Sequence, residues 1–407
     1  MKILVLLIYF LGITGLMTYT ISYCKSSIPN NIYIEENKEN EYDFNLPVLG
    51  SAVYNDSQVP IDLTQPLKIK AGSNGSYAFD IKLFGLYTIK TVNVNVVEKQ
   101  QVLLGGFPIG IYVKYDGVMV AQTTKVTDYL GNQISPCKDK VYAGDYILEF
   151  NGKKLESKEQ LLQLVNEHKD ADAILKIRRN GEIIEVKTNA VLSTDKSYKL
   201  GLWIRDDTQG VGTITYIKPN GEFGSLGHGI GDIDTGRLIE ISSGKLYETK
   251  IMTIIPGKES KPGEFVGIIN YNNKYLLGSI YENSDSGIFG KFEAIEKIEN
   301  PIVADVAYCS EIEIGEAFIR SYVSGEPKDY KIEITRVDLN ATNSNKGIEF
   351  KVTDSELLKI TNGIVQGMSG SPVIQNGRII GAVTHVLVND PTKGYAIFIE
   401  NMLEHDN

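Results

Sequence analysis

Cysteine is scarce in this chain: Cys24, Cys137 and Cys309 are the three found among 407 residues, odd in number and widely separated. Neither a disulfide framework nor a Cys-x-x-Cys metal site can be built from them. Histidine is nearly as rare, with four residues too scattered for a His-Glu-x-x-His zinc helix, and no metal or other cofactor is expected. Basic residues are outnumbered, 41 Lys and Arg against 51 Asp and Glu, so no excess is left to neutralise phosphates and nucleic acid is excluded as a partner. Alanine is absent before Ala52, which removes the Ala-x-Ala site of a cleaved leader; Thr20-Ile21-Ser22 is a poor substitute. No internal repeat and no low-complexity tract occurs.

Against these absences, 42% hydrophobic and 23% charged residues are ordinary for a globular protein, and the length leaves room for about two or three domains. Ile3 through Tyr23 is an uncharged, mostly apolar run behind Lys2, long enough to cross the hydrocarbon core of a bilayer as a helix. It reads as an uncleaved anchor over residues 1–24, with the bulk of the chain outside the cytoplasm. Residues 25–50, rich in Asn, Glu and Pro, are expected as an extended tether. Short strands follow over 51–100, where Thr91-Val92-Asn93-Val94-Asn95-Val96 alternates strictly, and predict a small β module with no assigned chemistry.

Residues 101–195 open on Leu103-Leu104-Gly105-Gly106-Phe107-Pro108-Ile109-Gly110-Ile111 and continue in strands. Ser157 and Gln160 are spaced as a capping box ahead of a helix with Leu161, Leu162, Leu164 and Val165, and a strand over Ala173–Ile177 comes next. From 196 to 407 the chain is β-rich with glycine-rich turns. Within it, Gly367-Met368-Ser369-Gly370-Ser371-Pro372 frames one serine with the glycines a nucleophile needs. A glycine two positions ahead of Ser369 lets the backbone curl so that two N–H groups, those of Gly367 and Ser369, can hold the oxyanion of a tetrahedral intermediate. Two β-type runs around Asn376-Gly377 then signal a hairpin.

A serine hydroxyl is a poor nucleophile until a base takes its proton. His168 belongs to a wet helix face and His405 to the last three residues. His228, flanked by Gly227 and Gly229 and placed ahead of Ser369, is the expected base. His385, in Thr384-His385-Val386 after the hairpin, reads as a residue of the substrate groove or as a packed structural histidine. For the acid, spacing leaves Asp232, Asp234, Asp285, Asp305 and Asp354 all open.

The serine loop and hairpin resemble those of chymotrypsin-like serine peptidases, which implies two packed β-barrels over 196–407 with Thr384 and His385 along the substrate. The order of elements in 101–195 resembles a PDZ domain, which implies a loop near Gly105, Gly106, Phe107 and Ile109 whose N–H groups hold a peptide carboxylate beside the helix. Taken with the anchor and Gly227-His228, the run from Gly363 to Pro372 and Thr384-His385-Val386-Leu387-Val388-Asn389-Asp390-Pro391 are similar to the stage IV sporulation protein B peptidases of endospore-forming bacteria. The fold so implied is mainly β: an N-terminal membrane anchor, a small β module, a PDZ domain and a chymotrypsin-like double β-barrel. The same resemblance implies a self-cleaving serine endopeptidase with Ser369 as nucleophile, His228 as base and Asp354 as acid. It further implies residence in the space between forespore and mother-cell membranes, and proteolysis of a membrane-bound regulator that restrains maturation of a late sigma factor. The alternative is an anchored PDZ scaffold with an inactive peptidase-like domain.

Overall fold

Alternating apolar and polar residues put every second side chain inward, and strands dominate the molecule. The computed structural model describes the backbone of residues 2–405 apart from 43, 45, 47–48, 55–56, 71, 73–74, 84–86 and 342–344. The apolar run Ile3–Tyr23 lies in α1 (Lys2–Ser27). Among the described residues no helix is long and apolar enough to cross a membrane, and the side chains before Phe10, which carry much of that run, lie outside them. Phe10, Leu11, Ile13, Leu16 and Tyr19 are each more than half exposed.

Over its described residues, the stretch expected as a tether is folded instead. Asn31–Glu35 pairs in parallel with Tyr87–Val97, and Glu39–Tyr42 pairs with Leu67–Lys70. Ile32 and Ile34 alternate inward and share a core with Cys24, Ile28, Leu46 and Val94. The Asn- and Glu-rich composition of 25–50 conceals this two-residue period, and burial of the isoleucines outweighs it.

Six strands close the first barrel. β1 (Pro108–Thr123) pairs with β2 (Leu202–Ile217), and the ring continues through Glu222–Ser225, Gly287–Phe292 and Leu276–Ser284 to β3 (Ile241–Ile255), which returns to β1. The second barrel joins Gly315–Ser321, Lys328–Val337, Ile348–Val352, Asp390–Phe398, β4 (Arg378–Leu387) and Pro372–Gln375 in a closed ring. Its core shows the alternation plainly: Tyr330, Ile332 and Ile334 are fully buried while Lys331 and Glu333 between them are exposed. The hairpin expected at Asn376-Gly377 forms, with φ of 52° and 75°, the pair of left-handed residues its tight turn demands. The fold is thus mainly β and built on two six-stranded barrels.

β1 and β2 are longer than one barrel needs. Their outer halves join Tyr146–Phe150, Asp172–Arg179 and Glu182–Asn189 in a sheet that packs on α2 (Lys158–His168) around Leu161, Val165, Leu175 and Ile177. Ser157 caps α2 by accepting from the Gln160 N–H at 3.2 Å, while the Gln160 side chain accepts from the Glu156 N–H at 2.8 Å. This PDZ-like unit therefore grows out of the first barrel through two shared strands.

Candidate active site

The serine loop lies where the two barrels meet, and β2 consumes its carbonyls. The Thr213 hydroxyl donates to the Gly367 carbonyl at 2.7 Å, the Thr213 N–H to the Ser369 carbonyl at 3.0 Å, and the Thr215 hydroxyl to the Gly370 carbonyl at 2.8 Å. With those oxygens turned toward β2, the N–H groups of Gly367 and Ser369 donate to no carbonyl among the described residues. That is the donor pair an oxyanion requires. Both glycines are obligatory: Gly367 has φ +99° and a Cβ there would sit 2.7 Å from Phe265, and a Cβ on Gly370, φ +91°, would sit 2.0 Å from the Thr213 carbonyl oxygen. The Ser369 hydroxyl itself donates to the Thr384 carbonyl at 3.1 Å.

Ser369, Gly367, His228, Thr384 and His385 line one cleft of about 500 Å³. The His228 Nδ1 lies 2.9 Å from the Gly229 carbonyl oxygen. A carbonyl can only accept, so Nδ1 carries the proton and Nε2 keeps the lone pair that a base needs. Burial holds the His228 pKa below the usual 6.5, partly offset by that carbonyl. The His385 ring packs on His228 with centroids 5.2 Å apart, and its Nδ1 is buried without a hydrogen-bond partner among the described residues. Burial first, then the nearby His228 and Lys346, push the His385 pKa down to about 4. Both imidazoles are therefore neutral at neutral pH.

Asp354 is not at the imidazole. Its Oδ1 accepts from the N–H groups of Glu356 and Leu357 at 2.9 and 3.0 Å, capping α3 (Ser355–Thr361), and its Oδ2 accepts from the Lys331 N–H at 3.3 Å. The carboxylate expected as the acid is committed to a helix start, because an aspartate ahead of Ser355-Glu356-Leu357 satisfies N–H groups that nothing else reaches. Asp232 serves its own loop and Arg205, and Asp305 pairs with Lys99. Among the described residues no carboxylate bonds to His228, whose Nδ1 faces a peptide carbonyl instead.

The residues expected to hold a peptide carboxylate do not line the groove beside α2. The N–H groups of Gly105 and Gly106 donate to the carbonyls of Thr215 and Ile214 at 2.9 Å each, Phe107 packs edge-on against Phe292, and Ile109 is buried in the first barrel. The Gly105 and Gly106 amides are thus spent on β2, and barrel strand begins at Pro108. The groove beside α2 is lined by Leu161, Leu162 and Val165 on one side and Leu202, Trp203 and Ile204 of β2 on the other, and encloses about 690 Å³. At its floor the N–H groups of Leu200 and Gly201 donate to no carbonyl among the described residues. The sequence does not mark Leu200-Gly201-Leu202, nor Thr213 and Thr215. The alternation in Thr213-Ile214-Thr215 puts both hydroxyls on one strand face, but only the folded chain brings the serine loop to it. Among the described residues no cluster of His, Cys, Asp and Glu could hold a metal ion.

A family model described as SpoIVB peptidase S55 matches residues 196–403. No curated protein matches the chain significantly. Among solved structures, the PDZ domain of an SdrC-like protein from Listeria monocytogenes is similar at 20% identity, with 23% of this chain and 90% of that chain covered and a TM-score of 0.19. The protease Rv3671c of M. tuberculosis, in an inactive form, is similar at 12% identity over 48% of this chain and 81% of that chain, TM-score 0.25. The HtrA-type protease AlgW with a decapeptide follows at 10% identity over 49% of this chain and 52% of that chain, TM-score 0.26. At such scores these likenesses carry no argument about this chain.

Proposed function

The chain belongs to the SpoIVB peptidase S55 family, and we propose that it acts as a serine endopeptidase in which Ser369 attacks the scissile carbonyl and His228 takes its proton. The observation that carries this reading is the meeting of Ser369, His228 and two undonated amides in one cleft. On substrate binding the Ser369 O–H turns from the Thr384 carbonyl to His228 Nε2, and its oxygen bonds to the peptide carbon. The developing oxyanion is held by the N–H groups of Gly367 and Ser369. The imidazolium then gives its proton to the leaving amine, and a water repeats the sequence to free the serine. The Gly229 carbonyl keeps Nδ1 protonated throughout, the orienting part a carboxylate would otherwise play; Asp354 takes no part in this step.

Several finer features rest on family membership and on supporting geometry. A helix apolar on all sides and exposed from Phe10 to Tyr19 suits a membrane anchor, which would hold the catalytic bulk outside the cytoplasm. The groove beside α2, with a free strand edge and two free amides, suits a peptide terminus added as a strand. Self-cleavage would fall between Cys24 and Leu49, with the exposed Glu36-Asn37 turn the accessible point of that stretch. The substrate would be a membrane-bound regulator of sigma-factor maturation, met in the space between the forespore and mother-cell membranes.

The competing reading is a PDZ-bearing scaffold with an idle peptidase fold, favoured by the hydrogen bond that ties the Ser369 hydroxyl to Thr384. A fluorophosphonate probe separates the two. Labelling at Ser369, lost in Ser369→Ala, is expected of the peptidase; no labelling in the full-length or self-cleaved protein would establish the scaffold.

A further inference from the structure

The loop that carries His228 leaves the first barrel after Ser225 and returns to it at Ile241. Its root is held from within the barrel by Asn283, whose side chain donates to the carbonyls of Ile230 and Ile239 at 3.0 and 2.8 Å and accepts from the Ile230 N–H at 2.8 Å. Its outer half is held by the PDZ-like unit instead. Arg205, on the outer half of β2, meets Asp232 with one terminal nitrogen at 2.8 Å and Asp234 with the other at 2.6 Å. Arg237 donates to the Asn180 side chain at 3.1 Å, and the Arg178 guanidinium lies 2.7 Å from the Glu240 carboxylate. The fork grips a preformed turn: the Asp232 side chain is 1% exposed, and its second oxygen accepts from the N–H groups of Asp234 and Thr235 and from the Thr235 hydroxyl.

We propose that Arg205 is a positioning residue for the base, and that the PDZ-like unit is thereby part of the mould in which His228 is set. This rests on the reading of His228 as the base. The loop is rich in glycine, at 227, 229, 231 and 236, so its backbone has little stiffness of its own. A planar guanidinium reaching two carboxylates fixes direction as well as distance, which a single ammonium cannot do. Arg205 also follows directly on Leu202–Ile204, the strand edge that lines the groove, and Asp206 beyond it holds the Lys158 ammonium and N–H at the start of α2 at 2.8 and 2.9 Å. One strand segment thus grips the base loop through Arg205 and the start of α2 through Asp206, at an irregularity in its pairing with β1.

The test measures kcat and KM for casein hydrolysis, the limiting rate of fluorophosphonate labelling, and thermal melting, all on the full chain. Arg205→Met is expected to lower kcat and the labelling rate by about 30- to 100-fold, the cost of displacing a catalytic group by about an ångström, with KM within about twofold. Arg205→Lys keeps the charge but not the fork and should recover only a small part of the loss, leaving kcat about tenfold down, and Asp234→Asn should lose about threefold. Arg205→Met also strips a buried carboxylate of its countercharge, so if it melts early the decision passes to Arg205→Lys and Asp234→Asn. Wild-type kcat in a well-folded Arg205→Met, or in both milder variants, overturns the proposal, as does a loss seen in KM alone. Ser369→Ala and His228→Ala distinguish the two failures: wild-type turnover in either removes the base reading itself, whereas their inactivity beside an active Arg205→Met removes the positioning role only.

Discussion

The two loops that face each other across the cleft hang from the same strand by different chemistry. At the inner end of β2, Thr213 and Thr215 hold three carbonyls of the serine loop with neutral hydrogen bonds in a dry seam, Thr213 and Thr215 being 1% and 0% exposed. At its outer end, Arg205 holds the histidine loop through charges, and its side chain is 41% exposed. Buried neutral bonds are insensitive to salt and costly to leave unmade. A half-exposed ion pair is screened and contributes little to stability, so its worth lies in direction. In the proposed mechanism the nucleophile is therefore set by packing within the barrel seam, and the base by an attachment that reaches into a neighbouring unit.

The sharpest way to break this comparison is to remove the reacting groups. Ser369→Ala and His228→Ala should each lower peptide hydrolysis by about six orders of magnitude, since a nucleophile and its base fail as a unit. Circular dichroism should be unchanged; near-wild-type turnover in either would remove the assignment. Next in size, Gly367→Ala should cost about 100- to 1,000-fold in kcat, the range for a lost oxyanion donor, because it forces a Cβ against Phe265 at a positive φ. Labelling by a fluorophosphonate would fall with it.

Thr213→Val tests whether neutral bonds orient the nucleophile. It should lower kcat about tenfold and stability by about 1–3 kcal/mol, the penalty for a buried carbonyl left without its donor. A large stability loss with wild-type kcat would show that the bond only holds the seam. Asp354→Ala should do less still, about 1 kcal/mol from the lost cap and a kcat within about threefold of wild type. If turnover instead collapses in a folded Asp354→Ala, the carboxylate reaches the imidazole in a form other than this one.

The smallest expected effect is on pH. His228 must be neutral to accept a proton, and burial lowers its pKa below 6.5, so the acid limb of kcat should fall below that value. For His385 the folded pKa is about 4 against 6.5 when unfolded, so the unfolded chain takes up the proton first as pH falls. Its contribution to stability is complete above 6.5 and is lost as the pH drops toward 4. Melting temperature should decline over that window, and less steeply in His385→Asn; parallel profiles would remove His385 from the account.

Local pattern was enough for a good part of this molecule. The glycines around Ser369, the Asn376-Gly377 turn, the Ser157 cap and the two-residue periods of the barrels are each read within a few residues, because each answers a local steric or hydrogen-bonding demand. Composition misled over 25–50, where two isoleucines at strand spacing decide more than the polar residues around them. Asp354 looked free to serve as an acid, and three backbone N–H groups claim it.

By itself the sequence determined which residues could react, since a serine between glycines and a histidine between glycines are chemical statements that hold in any fold. What only the tertiary structure decided is who steers them. Gly105 and Gly106 gave their amides to β2, Leu200 and Gly201 came to the floor of the groove, and Arg205 came to the loop of His228, since pairing β1 with β2 along their whole length joins residues about a hundred positions apart. Strand register is set by the burial of both barrels together, and no window of sequence contains that sum.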